Sequence, residues 1–372
     1  MMNTVEPFIG ADLRTEADVL ALVELGRGDA SFTPRFLQLL DERHPVYAGI
    51  DSAAVTRIRG ALLLALTQRA LPDAALSFVL SELESAYDPW LTAVAAYALR
   101  RRPEPSSRYA GALIDALICI RGVDERVRLG SHGGYGDTGE TTTATAEILR
   151  TLGWLGSCAG SAVTRLRQLE VELATDEARA LLREAIVAIE SDLRGPAEAA
   201  PEPSLIEARK RLPAELSAVC LQDQAGTKVR FADFFVRPAL VVFFFTRCGN
   251  PAKCPATILK LGRLQARVAA EGLRMRTAAI TYDPGYDTPE RLTQYARSWG
   301  ARTDEDHRFF RTIDDLGPLR AFFELGVSYG ASSVNQHQLE AFVLDREATI
   351  VWAVRRKHWR EDEIVAAAAS LD

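Results

Sequence analysis

The sequence predicts a multidomain chain, an all-α half built of helical repeats in solenoid fashion followed by an α/β half, and three observations predict it. Leucines and alanines at helical spacing recur through the first half, where strand signals are almost absent. Gly195 to Ser204, GPAEAAPEPS, lacks large apolar residues and reads as a semi-extended linker. Beyond it, short runs rich in Val and Phe alternate with helical segments, as in a sheet with crossover helices. The expected divisions are 1–194, 195–204 and 205–372, which suits a chain of 372 residues, too long for one ordinary core.

In the first half, Ala54 to Ala70 reads as a Leu-rich helix, and Pro72-Asp73 restarts a second through Leu76, Val79, Leu80 and Leu83. Asp88-Pro89 is an N-cap aspartate followed by proline at the first helical position. The helix it opens stops at Pro103, and Ser106 or Ser107 caps another carrying Leu113, Ile114, Leu117 and Ile120. A third unit follows with Ile148 to Leu155, then Val163 to Leu173, then a terminal helix from Thr175 closed by Arg194-Gly195-Pro196. Paired helices repeating at roughly 30–40 residues fall in the period range of helical solenoids, and DPWLTAVAAYALRRRPEPSSRYAGALIDAL resembles a HEAT-type unit. Such arrays present a face to protein partners. Gly130 to Glu140, GSHGGYGDTGE, breaks the rhythm. It has no Gly-Lys-Ser/Thr and no preceding strand, so it is no phosphate cradle and no nucleotide cofactor is expected. It reads as an inter-helix loop open to a partner.

In the second half, Leu216 to Leu221 and Lys228 to Phe231 flank a turn at Asp223 to Gly226 and read as a hairpin. Seven consecutive apolar residues, Ala239 to Phe245, suit a strand buried on both faces. A helix from Pro255 to about Glu271 and a strand from Met275 to Thr281 complete a βαβ unit. Helices follow at Pro289 to Trp299 and Asp314 to Phe323, then an antiparallel pair, Leu339 to Leu344 and Thr349 to Val354, and a closing helix from Arg360. This is the element order of a thioredoxin-like domain.

Bulk properties exclude several functions. A net charge of −6 gives no reason to expect nucleic acid or an anionic membrane as partner. No stretch is long and apolar enough to span a bilayer, and the N-terminus has no signal-peptide pattern. Five cysteines in a chain of this length make no disulfide framework. A cytoplasmic protein is expected.

Cys248 and Cys254 fall where the buried strand ends and the next helix begins, with Pro255 at the helix start. Arg247 and the helix N-terminus favour a thiolate there. Two such cysteines serve as a reversible dithiol, as soft metal ligands, or as structural core. Five intervening residues make a loop wide enough to wrap an ion. No proline follows Pro318, so the proline that thioredoxin-like oxidoreductases place before the third central strand is absent, and His337 stands there instead. Two thiolates and one imidazole suit Cu(I). Cys119, Cys158 and Cys220 receive no role. His307 reads as solvent-facing, His358 as no ligand, and Asp287 or Thr288 as the cap of the helix at Pro289.

From about Leu212 onward the sequence resembles the Sco family of thioredoxin-fold copper proteins that serve cytochrome c oxidase assembly. The resemblance rests on FFTRC at Phe244 to Cys248, Cys254-Pro255, ITYDPGYDTPERLTQYA at Ile280 to Ala296, and His337 with QLEAFVLD behind it. It implies that Cys248, Cys254 and His337 bind one copper ion, as Cu(I) or Cu(II), and that the cysteines also cycle between dithiol and disulfide. Asp283 ends a strand on the same edge and is expected to orient His337 or a thiol from behind, with Arg247 beside it. The expected partner is a protein client or redox partner met through the helical repeats. Two other readings stay open: a metal-independent thiol–disulfide oxidoreductase or thiol peroxidase using Cys248 and Cys254, and an interaction scaffold with a vestigial site.

Overall fold

The computed structural model describes residues 13–130, 134–135, 140–192 and 210–371, so the expected linker lies outside the described residues, as do His132 and Asp137 of the glycine-rich segment. The chain divides into two compact units. One comprises residues 1–202 with the hairpin segment 328–336, the other residues 203–327 and 337–372.

The first unit is helical. Its α-helices are α1 (Glu16–Leu25), α2 (Thr33–Leu40), α3 (Ser52–Leu66), α4 (Leu76–Glu84), α5 (Pro89–Leu99), α6 (Ala110–Ile120), α7 (Ala144–Leu155), α8 (Val163–Leu169) and α9 (Asp176–Ser191). Their starts follow capping chemistry: Thr15, Asp51, Asp88, Thr143 and Thr175 each accept a backbone N–H of the first turn. Packing joins second neighbours, α1 with α3, α3 with α5, α5 with α7 and α7 with α9, while α4 lies on α6. One apolar core runs through these contacts, with Trp90 fully buried against Gly60, where even a Cβ would collide with the indole. Arg59 is buried with it. Its guanidinium reaches Glu82 at 2.5 Å, Glu42 at 3.3 Å and the Leu40 carbonyl at 2.8 Å. A two-residue pairing of β1 (Val127–Arg128) with β2 (Gly134–Tyr135) flanks the helices.

The second unit is a seven-stranded sheet with helices. Its elements are α10 (Ala214–Ser217), β3 (Cys220–Asp223), β4 (Lys228–Arg230), α11 (Phe231–Phe234), β5 (Ala239–Phe244), α12 (Cys254–Ala270), β6 (Arg276–Thr281), α13 (Pro289–Ser298), β7 (His307–Thr312) and α14 (Gly317–Phe323). After the short pair β8 (Val327–Tyr329) and β9 (Val334–His337) come β10 (Glu340–Leu344), β11 (Ile350–Arg355) and α15 (Glu361–Ala369). The sheet order is β11-β10-β5-β6-β7-β3-β4, with β5, β6 and β7 parallel and the remaining pairings antiparallel. This is the thioredoxin-like α/β fold. β5 is buried at every position, as its unbroken apolar run requires of a strand with neighbours on both edges and helices over the sheet.

Several sequence expectations need correction. Leu216 lies in α10, a helical turn that Pro213 opens, and the strand begins only at Cys220. His307 is not solvent-facing: it opens β7, is 6% exposed, and its Nδ1 lies 3.0 Å from the Thr277 hydroxyl. β7 itself has no counterpart in the sequence reading, because Arg308 and Arg311 interrupt its apolar pattern. Arg308 pairs with Asp223, and Arg311 donates to the Pro284 carbonyl.

Candidate metal centre

The register of the sheet builds the site. β10 runs antiparallel to β5 with Ala341 opposite Val242, so the start of β10 lies beside the end of β5. The residues just before β10 therefore meet the loop just after β5. That loop turns at Gly249-Asn250-Pro251 and delivers Cys254 as the first residue of α12. The structure brings Cys248, Cys254 and His337 together, their donor atoms all within 4.8 Å of one another. His337 Nε2 lies 3.5 Å from each sulfur. Its Nδ1 is 3.0 Å from the Gln338 carbonyl, so Nδ1–H donates there and Nε2 turns toward the thiols.

The surroundings are dry and mostly aromatic. Cys254 is 1% and His337 5% exposed, while Cys248 is half-buried. The Phe245 ring meets the imidazole edge-on and Tyr282 lies at the same 5.4 Å centroid distance. The two thiols differ. The hydrogen bond from the Cys254 thiol holds Cys248 well below the usual thiol range against its partial burial, and His337 adds to the effect. Burial pushes Cys254 up, and the neighbouring Cys248 pushes it further. The pair thus shifts Cys248 toward the thiolate and Cys254 toward the protonated thiol.

A layer of residues behind the donors fixes their backbone. The Lys253 ammonium donates to the His337 carbonyl at 2.8 Å. Asp287 is wholly buried and accepts from the Thr246 N–H at 3.2 Å and from the hydroxyls of Thr246 and Thr281, tying the end of β5 to that of β6. The helix-cap role read for Asp287 therefore belongs to Thr288 alone, whose side chain accepts from Arg291 N. Two cap-type residues stood before Pro289, and only one can cap. Asp283 pairs with Arg247 at 2.5 Å, and Arg247 lies over the Tyr286 ring at 3.9 Å. Asp283 thus braces the cysteine loop through Arg247, in place of the expected link to His337 or a thiol. Sequence reasoning also passed over Glu340, which is buried and accepts from the Tyr282 hydroxyl at 2.7 Å and from the Gly326 N–H at 2.8 Å.

The donor set fits copper. Thiolates are soft ligands that select Cu(I), and an imidazole also suits copper. Thiolate and imidazole bind first-row ions at about 2.3 and 2.0 Å, which spaces donors around one ion roughly 3.5–4 Å apart. Among the described residues no helix is long and apolar enough to cross a membrane.

Among curated proteins none matches the sequence. In solved structures the chain is similar to a SCO1/SenC family lipoprotein from Bacillus anthracis, at 17% identity over 45% of this chain and 98% of that one, with a TM-score of 0.39. It is similar also to Bradyrhizobium japonicum ScoI, solved with copper bound, at 20% identity over 41% and 97% with a TM-score of 0.33. Yeast Sco1 matches at 21% identity over 41% and 96% with a TM-score of 0.34. The family model of SCO1/SenC matches residues 216–370. That span holds the cysteine loop, the histidine strand and the sheet that joins them, and this segment of the chain is of the SCO1/SenC type.

Proposed function

We propose that the second unit binds one copper ion through Cys248 Sγ, Cys254 Sγ and His337 Nε2, and that the same cysteines pass between dithiol and disulfide. The helical unit, read as a HEAT-like array, docks the protein client or redox partner. The observation that carries the reading is the convergence of the three donor atoms within 4.8 Å in a buried pocket. Copper, when bound, supplies a one-electron couple in a soft thiolate field. The chain's own groups prepare for it. Cys248 offers a thiolate without prior deprotonation, Cys254 gives up its proton on ligation, and the Gln338 carbonyl holds the imidazole with Nε2 forward. Phe245 and Tyr282 exclude water from the nitrogen.

The redox step needs a disulfide on the partner as oxidant. Cys248 Sγ attacks one partner sulfur and expels the other as thiolate. Cys254, losing its proton, then displaces the first partner sulfur, leaving a Cys248–Cys254 disulfide and a reduced partner. The unequal thiols favour this exchange, and they also support the second reading, a thiol–disulfide oxidoreductase or thiol peroxidase that uses no metal. Competition of reduced, full-length protein against a chromophoric Cu(I) chelator tests the first reading. His337→Ala should weaken Cu(I) binding more than about tenfold, the loss already usual for outer-shell partners. Unchanged affinity in His337→Ala overturns it. Turnover of a disulfide or peroxide that survives His337→Ala and is lost in Cys254→Ser supports the second reading instead.

A further inference from the structure

We infer that Glu340 and Tyr282 position the His337 imidazole, forming with Gly326 a buried bracket behind the metal centre. The inference rests on the copper reading above and deepens it by naming the residues that set how firmly the nitrogen ligand is held. Every residue of the bracket belongs to the second unit, within 203–327 or 337–372.

Glu340 is the one acid in an otherwise apolar strand. It opens β10 and is 3% exposed. A carboxyl group taken out of water is costly unless its oxygens are bonded. Here Oε2 accepts from the Tyr282 hydroxyl at 2.7 Å and Oε1 from the Gly326 N–H at 2.8 Å. Gly326 is a second fixed point. Its carbonyl accepts from Gln338 N at 2.9 Å, and it has no room for a side chain, since a Cβ there would collide with that of Gln338. Stability alone does not call for such a cluster, because an apolar pair of the same shape in place of the phenol and the acid would serve about as well.

These bonds reach His337 by two routes. Along the backbone, Gly326 fixes Gln338, whose carbonyl takes the Nδ1–H of His337 at 3.0 Å. Through side chains, Glu340 holds the hydroxyl of Tyr282, and the Tyr282 ring, stacked on Phe243 at 5.6 Å, lies 5.4 Å from the imidazole between centroids. Tyr282 is wholly buried and its N–H donates to the Phe244 carbonyl at 2.6 Å, so the residue is pinned at both ends. A ligand held in place before the ion arrives loses less freedom on binding, which raises affinity with no added contact. Tyr282 and Glu340 are positioning residues on this account, one against the ring and one behind it.

The test uses full-length, reduced protein and Cu(I) itself as the probe, titrated against the chelator. Tyr282→Phe, which keeps the ring and removes the hydroxyl, and Glu340→Leu should each weaken Cu(I) binding about tenfold. Glu340→Gln should stay near wild type, because its amide oxygen still accepts from Gly326 and its amide nitrogen donates to the Tyr282 hydroxyl. In a His337→Ala background, Tyr282→Phe should add nothing. Wild-type affinity in Tyr282→Phe overturns the proposal. Equal losses with and without His337 do so too, since they mark a general structural effect, as does a loss in Glu340→Gln that matches Glu340→Leu. A metal-free readout stands beside this. The His337 Nδ1–H should give a slowly exchanging ring resonance by NMR in wild type that is lost to solvent exchange in Tyr282→Phe, while the β5 amides keep their protection. No such resonance in wild type, or an unchanged one in Tyr282→Phe, overturns the proposal as well. Failure of the copper reading looks different: His337→Ala alone would then bind Cu(I) as wild type does, and the ring resonance would decide by itself whether the bracket holds the imidazole.

Discussion

Two cysteines six positions apart in sequence occupy opposite chemical states because their surroundings differ. Cys248 sits half-buried in the loop with the Cys254 thiol hydrogen-bonded to it, whereas Cys254 is sealed at the head of α12. The direction of both shifts predicts reactivity. With metal-free, reduced protein, iodoacetamide should modify Cys248 at nearly the same rate at pH 6 as at pH 8, because its thiolate is already formed at the lower pH. Its intrinsic nucleophilicity should be below that of an ordinary thiolate, since nucleophilicity falls with pKa. Cys254 should stay unmodified in folded protein across that range. Peptide mass spectrometry of timed samples checks both statements, and parallel pH profiles for the two cysteines would contradict them. The pair, the loop and the histidine were legible in sequence because strand end, helix start and donor chemistry each leave a local mark. The supports were less so. Glu340 looked like one more residue of a strand, and its partners Tyr282 and Gly326 are far away in sequence.

Among elements, the joint between β5 and β6 depends on Asp287. Its carboxylate gathers one N–H and two hydroxyls at the ends of both strands, just ahead of the cysteine loop. Asp287→Ala strands those donors and should cost about 2–4 kcal/mol of stability. Asp287→Asn should cost about 1 kcal/mol or less, because its oxygen can still accept from Thr246 N and Thr281 while the amide donates to the Thr246 hydroxyl. Burial raises the Asp287 pKa above the ordinary carboxylate value, so folding favours the protonated form. The sign follows directly: its contribution is greatest below the unfolded value of about 3.9 and declines as pH rises through the raised folded value. Urea unfolding of wild type and Asp287→Asn should show wild type losing ground to the amide variant across that interval, and a constant difference would refute the assignment. The long elements were readable because β5 and α12 carry strong apolar patterns. β7 was not, because HRFFRT spends two of its six positions on arginines that reach Asp223 and the Pro284 carbonyl. The β8–β9 hairpin has a Gly-Ser turn signal but strands too short and polar to register as sheet.

At the scale of the whole molecule, chain order and structural membership diverge. A division at the Pro/Ala/Glu-rich segment is natural from composition, yet residues 328–336 belong with the helices although more than a hundred residues of the sheet domain precede them. No local pattern announces this, because what places the hairpin is a set of hydrogen bonds spanning over 280 residues of sequence. Stability should therefore follow the units and not the chain. Arg59 offers the means to show it, being buried in the first unit between Glu42 and Glu82. Arg59→Ala removes the cation that buried Glu42 and half-buried Glu82 share, which costs roughly 3–5 kcal/mol. Native-state amide exchange should then show Gly49 and Gly330 losing protection together with the helices, since their N–H groups are bonded to Tyr329 and Ser333 within that unit. Tyr282, whose N–H is bonded to the Phe244 carbonyl, and the β5–β10 ladder should keep theirs. Retained protection at Gly330 in Arg59→Ala would mean that segment 328–336 does not share the stability of the helices it is grouped with.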